Sequence, residues 1–284
     1  MIQTLNVSKK ESPVIKQVYY FSGTGNSYYV AKRIAADIGA VLKPIVSLQK
    51  GDVIDVDVLC FVFPIYEFKP PKIVTQIIKN LSTVNAKYSI AVATYGVSLF
   101  TSLRKFKKTL KQKGVVLSCG YGIKSPHNAM GSISFTDKKN DTRLEKADQK
   151  ILKIISNIQA RSTSKVERTS IFEDMTIILQ LKHIIKLLYI LIFKGSSSLS
   201  FTVTDECIGC QLCTRICPVN NIDWTDEKPV FGITCVSCFA CLQWCPKSAI
   251  QLGKYSLEQM SIKHYNHPQV TAEDLVSNSR FIDE

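Results

Sequence analysis

The strongest constraint on the fold is the spacing of the cysteines in the C-terminal part of this 284-residue chain. Two runs share the pattern CxxCxxCxxxCP, and the second repeats the first with an offset of 28 residues. The same offset relates Ile222 to Ile250, which indicates an internal duplication. The runs consist of Cys207, Cys210, Cys213 and Cys217, and of Cys235, Cys238, Cys241 and Cys245. A fold that accommodates this segment must provide two equivalent cysteine-lined sites.

Three cysteines at every third position can wrap three corners of a 4Fe–4S cubane, and the fourth ligand must then come from elsewhere. Zinc sites typically use two separate CxxC pairs, which is a different pattern. The runs therefore favour two 4Fe–4S clusters over zinc. Residues 1–16 are polar and contain no secretory signal, so the cysteines are expected in a reducing cytosol as metal ligands rather than in disulfides.

Residues 201–253 resemble bacterial two-cluster ferredoxins, in which the fourth cysteine of each run ligates the other cluster. The resemblance implies one cluster on Cys207, Cys210, Cys213 and Cys245, and a second on Cys217, Cys235, Cys238 and Cys241. The two remaining cysteines, Cys60 and Cys119, fall in predicted strands. They are interpreted as small buried apolar side chains.

The N-terminal half alternates short, apolar, β-branched runs with helical stretches, which is typical of a parallel sheet built from βαβ units. The predicted strands are Val18–Phe21, Val41–Val46, Val56–Phe63, Tyr88–Thr94 and Val115–Tyr121. The predicted helices are Ser27–Ile38, Pro71–Asn80, Leu99–Lys113 and Thr142–Arg161. Five strands interleaved with helices predict a doubly wound α/β domain with its ligand at the carboxyl ends of the strands.

A glycine-rich loop follows the first predicted strand and precedes the first helix. It consists of Ser22, Gly23, Thr24, Gly25, Asn26 and Ser27. Glycines permit the tight turn and let backbone N–H groups approach an anion, while the hydroxyl and amide side chains add donors. The lysine of a Walker motif is absent, so the loop predicts a bound phosphate group but not a nucleoside triphosphate.

This loop is similar to the FMN-phosphate loop of flavodoxins, and the resemblance covers residues 16–160. It implies FMN and a flavodoxin-like five-stranded parallel sheet of order 2-1-3-4-5. It also implies that two further strand-end loops hold the isoalloxazine ring, through Pro64, Ile65 and Tyr66 and through Thr94, Tyr95 and Gly96. Tyr66 and Tyr95 are candidate stacking aromatics, or else ordinary loop anchors. The loop after the third strand lacks the glycine whose flipping peptide stabilises the semiquinone in flavodoxins, so stabilisation of that type is not expected.

Three other segments have less specific interpretations. The segment Ser125-Pro126-His127-Asn128 either closes over the flavin or is a connecting turn. The apolar helix candidate Ser170–Lys194 is interrupted by charges and too short in its apolar run to span a membrane. It either bridges the two domains or docks on a membrane surface or partner. His183, His264 and His267 are expected to have no chemical role.

Charge is distributed unevenly along the chain. Residues 1–164 contain 25 Lys/Arg and 10 Asp/Glu, whereas residues 165–284 contain 11 and 13. This asymmetry predicts docking of one half on the other or recruitment of an acidic partner, with a merely solubilising surface as the alternative. The candidate docking surface is a basic stretch formed by Arg104, Lys105, Lys107, Lys108, Lys111 and Lys113.

The two halves together resemble the flavodoxin–ferredoxin fusion proteins of anaerobic bacteria and archaea. The predicted division is a flavodoxin-like FMN domain at 1–164, a linker with the apolar helix at 165–200, a small α+β two-cluster ferredoxin-like domain at 201–254 and a tail at 255–284. The resemblance implies a cytoplasmic electron-transfer flavoprotein, or oxidoreductase, linking a low-potential donor such as ferredoxin to the clusters and FMN. An FMN-dependent reductase of a quinone or nitro compound is the alternative. A redox protein partner is expected, with neither nucleic acid nor membrane, and a homodimer is left open.

Overall fold

The computed structural model describes residues 14–126, 137–169, 201–253 and 264–276. Its N-terminal sheet is parallel throughout and has the order β2-β1-β3-β4-β5. The strands are β1 Lys16–Tyr20, β2 Val41–Pro44, β3 Val53–Pro64, β4 Thr83–Tyr95 and β5 Cys119–Lys124. The helices of this domain are α1 Asn26–Ile38, α2 Lys72–Asn80, α3 Ser102–Lys111 and α4 Asp137–Gln159. The predicted flavodoxin-like strand order is confirmed.

The two longest strands, β3 and β4, lie side by side and bury almost every side chain in their second halves. Such continuous burial is expected for the central strands of a parallel sheet that is covered by helices on both faces. The helices turn their apolar stripes inward. In α1, for example, Val30, Ile34 and Ile38 are at most 5% exposed. The predicted second strand ends early, because the chain turns into a short 3₁₀ helix at Ile45–Ser47.

The prediction for the fifth strand is wrong at both ends. Residues 115–118 show the alternating burial of a strand, with Val116 76% exposed between two buried neighbours. Their pairing to Ser89 on β4 uses the side-chain hydroxyls of Ser89 and Ser118 as well as backbone, so the regular ladder starts only at Cys119. The strand continues past two glycines, and a β-carbon on Gly122 would lie 2.2 Å from the side chain of Leu99.

The cysteine segment forms a small second domain. Strand β6 Phe201–Val203 pairs antiparallel with β9 Ile250–Leu252, and β7 Ile222–Thr225 pairs antiparallel with β8 Lys228–Phe231. Helices α5 Leu212–Ile216 and α6 Ala240–Gln243 follow the cysteine loops, and α7 Ala272–Val276 lies near the C-terminus. Gln211 and Phe239, which are related by the 28-residue offset, both adopt left-handed conformations before their helices (φ 56° and 58°). The duplication seen in the sequence is therefore present in the backbone.

The two domains are packed together. Ile216 and Ala240 of the cluster domain and Leu275 of α7 belong to the same set of buried residues as the sheet core. The predicted helix Ser170–Lys194, with His183, lies outside the described residues, as do His127 and Asn128. None of the helices in the described ranges combines the length and the hydropathy that a membrane span requires.

Candidate redox site

The cluster domain has two cysteine-lined cavities that open to solvent. The first is lined by Cys207, Cys210, Cys213 and Cys245. The second is lined by Cys217, Cys235, Cys238 and Cys241. The fourth cysteine of each run therefore lies with the first three of the other run. This is the grouping that crossed ligation requires, and the identity of the individual ligands stays a prediction.

The thiols surround a space rather than converge on a point. Among the residues that the structure describes, no group of three or more His, Cys, Asp or Glu side chains is close enough to hold a single ion. A zinc ion needs its sulfur ligands at about 2.3 Å. A cubane, in contrast, occupies the volume between its four cysteines. The soft donor set and the two cavities therefore fit 4Fe–4S clusters.

Backbone N–H groups point at the cysteine sulfurs in both halves. Asn221 donates to Cys217 Sγ at 3.3 Å, and Ala249 donates to Cys245 Sγ at the same distance, in positions related by the 28-residue offset. Hydrogen bonds to sulfur stabilise thiolates and tune cluster potentials. Burial raises the pKa of the Cys213 thiol to about 11 and that of Cys238 to about 12. Cluster assembly must therefore displace tightly held protons.

The predicted glycine-rich loop, named the phosphate loop here for its proposed ligand, starts after β1 and runs into α1, whose first two residues are Asn26 and Ser27. Gly25 caps α1 in a left-handed conformation (φ 95°) that a residue with a β-carbon adopts only under strain. Its N–H donates to Ser22 Oγ at 3.1 Å, which folds the loop tightly. Ser27 Oγ lies 2.8 Å from Thr94 Oγ1, so the loop meets the end of β4. Because the first N–H groups of a helix have no intrahelical carbonyl to bond, this end of α1 suits a phosphate group.

The loop after β3 holds Tyr66 in a tight turn. Tyr66 and Lys69 exchange two backbone hydrogen bonds, at 3.0 and 2.8 Å, around a pair of left-handed residues, Glu67 and Phe68. Glycine usually occupies such positions, so this loop adopts the conformation without the residue that favours it. The Tyr66 ring packs edge-on against Phe21. Burial, with a smaller contribution from the Cys238 thiol, raises the pKa of the Tyr66 hydroxyl.

An aromatic pair that sequence reasoning missed lies beside the predicted ring site. Phe68 and Phe100, from the loops after β3 and β4, have ring centroids 5.8 Å apart. Ser102 Oγ donates to the carbonyl of Phe68 at 2.7 Å and ties the loop after β3 to α3. Tyr95 and Gly96, the predicted contacts after β4, are partly exposed at the same edge of the sheet. The two loops therefore present aromatic side chains where a planar ring is expected.

Arg143 on α4 is a second residue that sequence reasoning missed. Its side chain is buried, and Nη1 donates to the carbonyl of Ser125 at 3.0 Å. Burial lowers the pKa of this guanidinium. Asn26 of the phosphate loop donates to the next carbonyl, that of Pro126, at 3.2 Å. The signal was present in the sequence, because Arg143 shares a helical stripe with the buried Ala147 and Ile151, at i+4 and i+8.

The cluster domain packs directly on the phosphate loop. Trp244 Nε1 donates to the carbonyl of Gly23 at 2.9 Å. A β-carbon built on Gly23 would lie 2.2 Å from the carbonyl oxygen of Cys238 and 3.3 Å from the hydroxyl of Tyr66. The close approach of the Cys238 backbone therefore requires a glycine at position 23. The glycine-rich motif explained this residue only by the tight turn of the loop. The predicted cluster ligand Cys238 and the predicted flavin contact Tyr66 meet at this glycine.

The C-terminal segment also binds the phosphate loop. Tyr265 donates its hydroxyl hydrogen to Asn26 Oδ1 at 2.7 Å, and the N–H of His267 donates to the carbonyl of Thr24 at 2.9 Å. The His267 ring stacks on Tyr29 of α1 with centroids 4.2 Å apart. Burial lowers the pKa of His267 to about 4. His267 is therefore a buried residue of the interface between the C-terminal segment and α1. Its place in a polar stretch of sequence had not indicated this burial.

The basic stretch on α3 faces away from these contacts. Leu103, Phe106 and Leu110 are buried, and the exposed face of the helix consists of Arg104, Lys105, Lys107, Lys108 and Lys111. In the described part of the chain, the contacts recorded for the cluster domain are with the phosphate loop, and those of the C-terminal segment are with the loop and α1. Of the two predicted roles for this surface, docking of the chain's own cluster domain is thus not the arrangement observed.

Residues 206–249 match the family model of the 4Fe-4S dicluster domain. The NAD(P)H-quinone oxidoreductase subunit I of Gloeobacter violaceus is 25% identical over 83 residues, which are 25% of this chain and 37% of that protein. This chain therefore spans little more than a third of that curated relative.

Two solved structures are similar to the N-terminal half. The flavodoxin of Megasphaera elsdenii is 15% identical, with a TM-score of 0.31, over 48% of this chain and 99% of its own. An FMN-dependent NADH-azoreductase of Bacillus anthracis is 9% identical, with a TM-score of 0.37, over 51% of this chain and 99% of its own. At such values neither structure informs function, and the strand order itself establishes the fold.

The family match and the two cavities assign two 4Fe–4S clusters to the C-terminal domain. The sheet order makes the N-terminal domain flavodoxin-like. The predicted fusion of a flavodoxin-like domain with a two-cluster ferredoxin-like domain is confirmed.

Proposed function

We propose that this chain is an electron-transfer iron–sulfur flavoprotein, in which the two clusters exchange electrons with FMN bound at the carboxyl end of the flavodoxin-like sheet. The observation that supports this most directly is the contact between Cys238 and Gly23. It places a cysteine of the cluster domain against the loop proposed to hold the FMN phosphate. Electron transfer slows steeply with distance, so direct packing of the two sites favours exchange within the chain.

In this proposal the chain's own residues hold FMN in two places. The loop Ser22–Ser27 and the N-terminus of α1 bind the phosphate dianion through N–H and hydroxyl groups. The loops after β3 and β4 hold the ring through Tyr66 and Tyr95. When bound, FMN accepts one or two electrons, whereas a 4Fe–4S cluster passes one at a time.

Arg143 supplies a positive charge at the same end of the sheet. It is buried near Ser125 and Tyr95, and a fixed cation in a water-poor site favours negative charge at a nearby ligand. No other buried Lys or Arg is found among the described residues. In this proposal Arg143 therefore favours the more negatively charged, reduced state of FMN bound at this end of the sheet.

The proposed partner is an acidic redox protein such as a ferredoxin, and the proposed location is the cytoplasm. The exposed cations of α3 add to the positive potential that steers such a carrier towards the chain, which raises the rate of encounter more than the affinity; they are not proposed as the point of electron entry. The alternative, an FMN-dependent reductase of a quinone or nitro compound, is supported only by the name of a relative matched over 83 residues. Reduction of a quinone over many turnovers by the purified chain, with no protein acceptor present, would favour that alternative.

The test is anaerobic reduction by dithionite or by a reduced ferredoxin, followed optically at the cluster and flavin absorptions. Transfer through the clusters predicts that cluster bleaching precedes flavin bleaching and that all bound flavin becomes reduced. Flavin that stays oxidised after both clusters are reduced would contradict the proposal. The rate of reduction by ferredoxin is also measured at a series of salt concentrations, for the unmodified chain and for a K107E/K108E variant. Salt and the variant should slow docking of the carrier and leave electron transfer inside the chain unchanged.

A further inference from the structure

The two cysteine runs are equivalent in sequence but not in surroundings. Cys238 is 8% exposed, whereas Cys210, its equivalent 28 residues earlier, is an exposed residue. Ile208 of the first run is 59% exposed, whereas its equivalent, Val236, packs against the main core. Cys235 also faces solvent, so the second run is not sealed. The asymmetry lies in what each run contacts.

The second run touches the phosphate loop at two points. The carbonyl of Cys238 packs on Gly23, and Trp244 donates its hydrogen bond to the same residue. At the position equivalent to Trp244, the first run has Ile216, which has no side-chain donor. Helix α5 of the first run packs against α7, with Arg215 and Glu273 3.3 Å apart, and its Ile216 is buried in the main core rather than bonded to the phosphate loop.

Tyr66 lies on the same side as the second run. A β-carbon built on Gly23 would lie 3.3 Å from the Tyr66 hydroxyl and 2.2 Å from the Cys238 carbonyl oxygen, so both groups pack on the same glycine. Tyr66 belongs to the loop proposed to contact the flavin ring. A short, packed route therefore runs from Cys238 through Gly23 and Tyr66 to the flavin site. The hydrogen bond and the close backbone approach at Gly23 both come from the second run.

From this asymmetry we infer that the two clusters have different and ordered roles. The inner cluster, on Cys217, Cys235, Cys238 and Cys241, exchanges electrons with FMN. The outer cluster, on Cys207, Cys210, Cys213 and Cys245, exchanges electrons with the external carrier. This inference rests on the proposed function and adds the order in which electrons pass through the two clusters.

The electron count follows from this order. One electron leaves the reduced carrier and reduces the outer cluster, then passes to the inner cluster, which reoxidises the outer one, and then to FMN. Two such passages oxidise two carrier molecules and supply the two electrons of complete FMN reduction. Water supplies the protons taken up with them.

Two single variants, one at an exposed position and one at the interface, test the order in the complete, anaerobically purified protein. Ile208→Lys adds a positive charge at an exposed position that lines the outer cavity. Nearby positive charge favours the reduced cluster, so it raises that midpoint potential. Tyr66→Phe removes one hydroxyl at the inner side and preserves the ring. The measurements are the two cluster midpoint potentials by EPR-monitored redox titration, and the relaxation of each cluster signal by a dysprosium complex in solution.

The expected result is that Ile208→Lys raises one cluster potential and Tyr66→Phe shifts the other. The dysprosium complex should relax the signal shifted by Ile208→Lys more strongly than the one shifted by Tyr66→Phe. The inference is overturned if both variants shift the same cluster, or if the cluster sensitive to Tyr66→Phe is the one more strongly relaxed by dysprosium. These readouts do not require flavin reduction. Failure of the proposed function would appear separately, as flavin that is absent or is not reduced.

Discussion

The indole N–H of Trp244 donates a hydrogen bond of 2.9 Å to the backbone carbonyl of Gly23. This bond joins the end of α6, the helix that carries Cys241, to the loop proposed to bind the FMN phosphate. It is one of several contacts between the two sites, and removal of its single donor tests it directly.

Trp244→Phe removes the N–H donor and retains an aromatic ring. We expect a loss of about 1 kcal/mol in the free energy of unfolding, because the Gly23 carbonyl loses one neutral hydrogen bond. The rate of flavin reduction by the clusters should fall as the interface loosens. Urea unfolding and stopped-flow absorbance measure the two effects. Trp224→Phe is the matched control for the stability measurement, since Trp224 also loses an indole but lines the outer cavity rather than the Gly23 contact.

Gly23→Ala forces a larger change at the same interface. The added β-carbon would lie 2.2 Å from the backbone oxygen of Cys238, so one of the two backbone segments must move. Overpacking of this kind costs about 1–3 kcal/mol. We expect weaker FMN retention on gel filtration and slower flavin reduction.

Gly114→Ala is the control for the glycine substitution. Gly114 has a positive φ of 80° and open space around it, so alanine there costs conformational energy without touching the interface. Equal loss of FMN in both variants would show that general destabilisation, not the Cys238 contact, determines retention.

Crossed ligation predicts which cysteine substitutions resemble each other. Cys217→Ser should perturb the same EPR signal as Cys241→Ser, and Cys245→Ser the same signal as Cys213→Ser, because the cavities group them in this way. Ligation within each run would instead pair Cys217→Ser with Cys213→Ser. Low-temperature EPR of the reduced variants distinguishes the two patterns.

His267 makes the docking of the C-terminal segment pH-dependent. Its pKa is lowered from 6.5 to about 4 by burial in the folded protein. The unfolded chain therefore binds the proton first, and the neutral ring favours folding fully only above about pH 6.5. As the pH falls from there towards 4, up to about 3 kcal/mol of stability is lost.

The measurement is urea unfolding at a series of pH values for the unmodified chain and for His267→Gln. The unmodified chain should lose more stability than the variant between neutral pH and pH 5, because glutamine does not titrate. Parallel pH profiles would contradict the assignment of this dependence to His267. Asp148, which accepts a hydrogen bond from Tyr29 at 2.8 Å and partly offsets the shift, is unchanged in both proteins.

The sequence predicted those features that are periodic or local. The resemblance to two-cluster ferredoxins implied which thiols line each cavity. Apolar alternation predicted five strands, and the resemblance to flavodoxins implied their observed order. The glycine-rich loop was located correctly because a strand and a helix flank it directly. The start of β5 was missed, since Ser89 and Ser118 replace part of a backbone ladder with side-chain bonds that no residue pattern encodes.

Contacts between distant segments were beyond prediction from the sequence. The role of Gly23 against Cys238 depends on how the cluster domain docks, over 200 residues along the chain. The packing of His267 on Tyr29 depends on the same docking, and a histidine between polar residues carries no local sign of burial. Arg143 was predictable in part. The sequence shows that it lies on the apolar stripe of its helix, but arginine is rarely buried, so its side chain would ordinarily be expected in solvent.

The central claim is that one chain holds both cluster and flavin sites and connects them. The most direct measurement is the iron, acid-labile sulfide and FMN content of the chain after a single anaerobic purification. The account predicts about eight iron and eight sulfide per chain, together with about one FMN. A full iron and sulfide content with no FMN would contradict it.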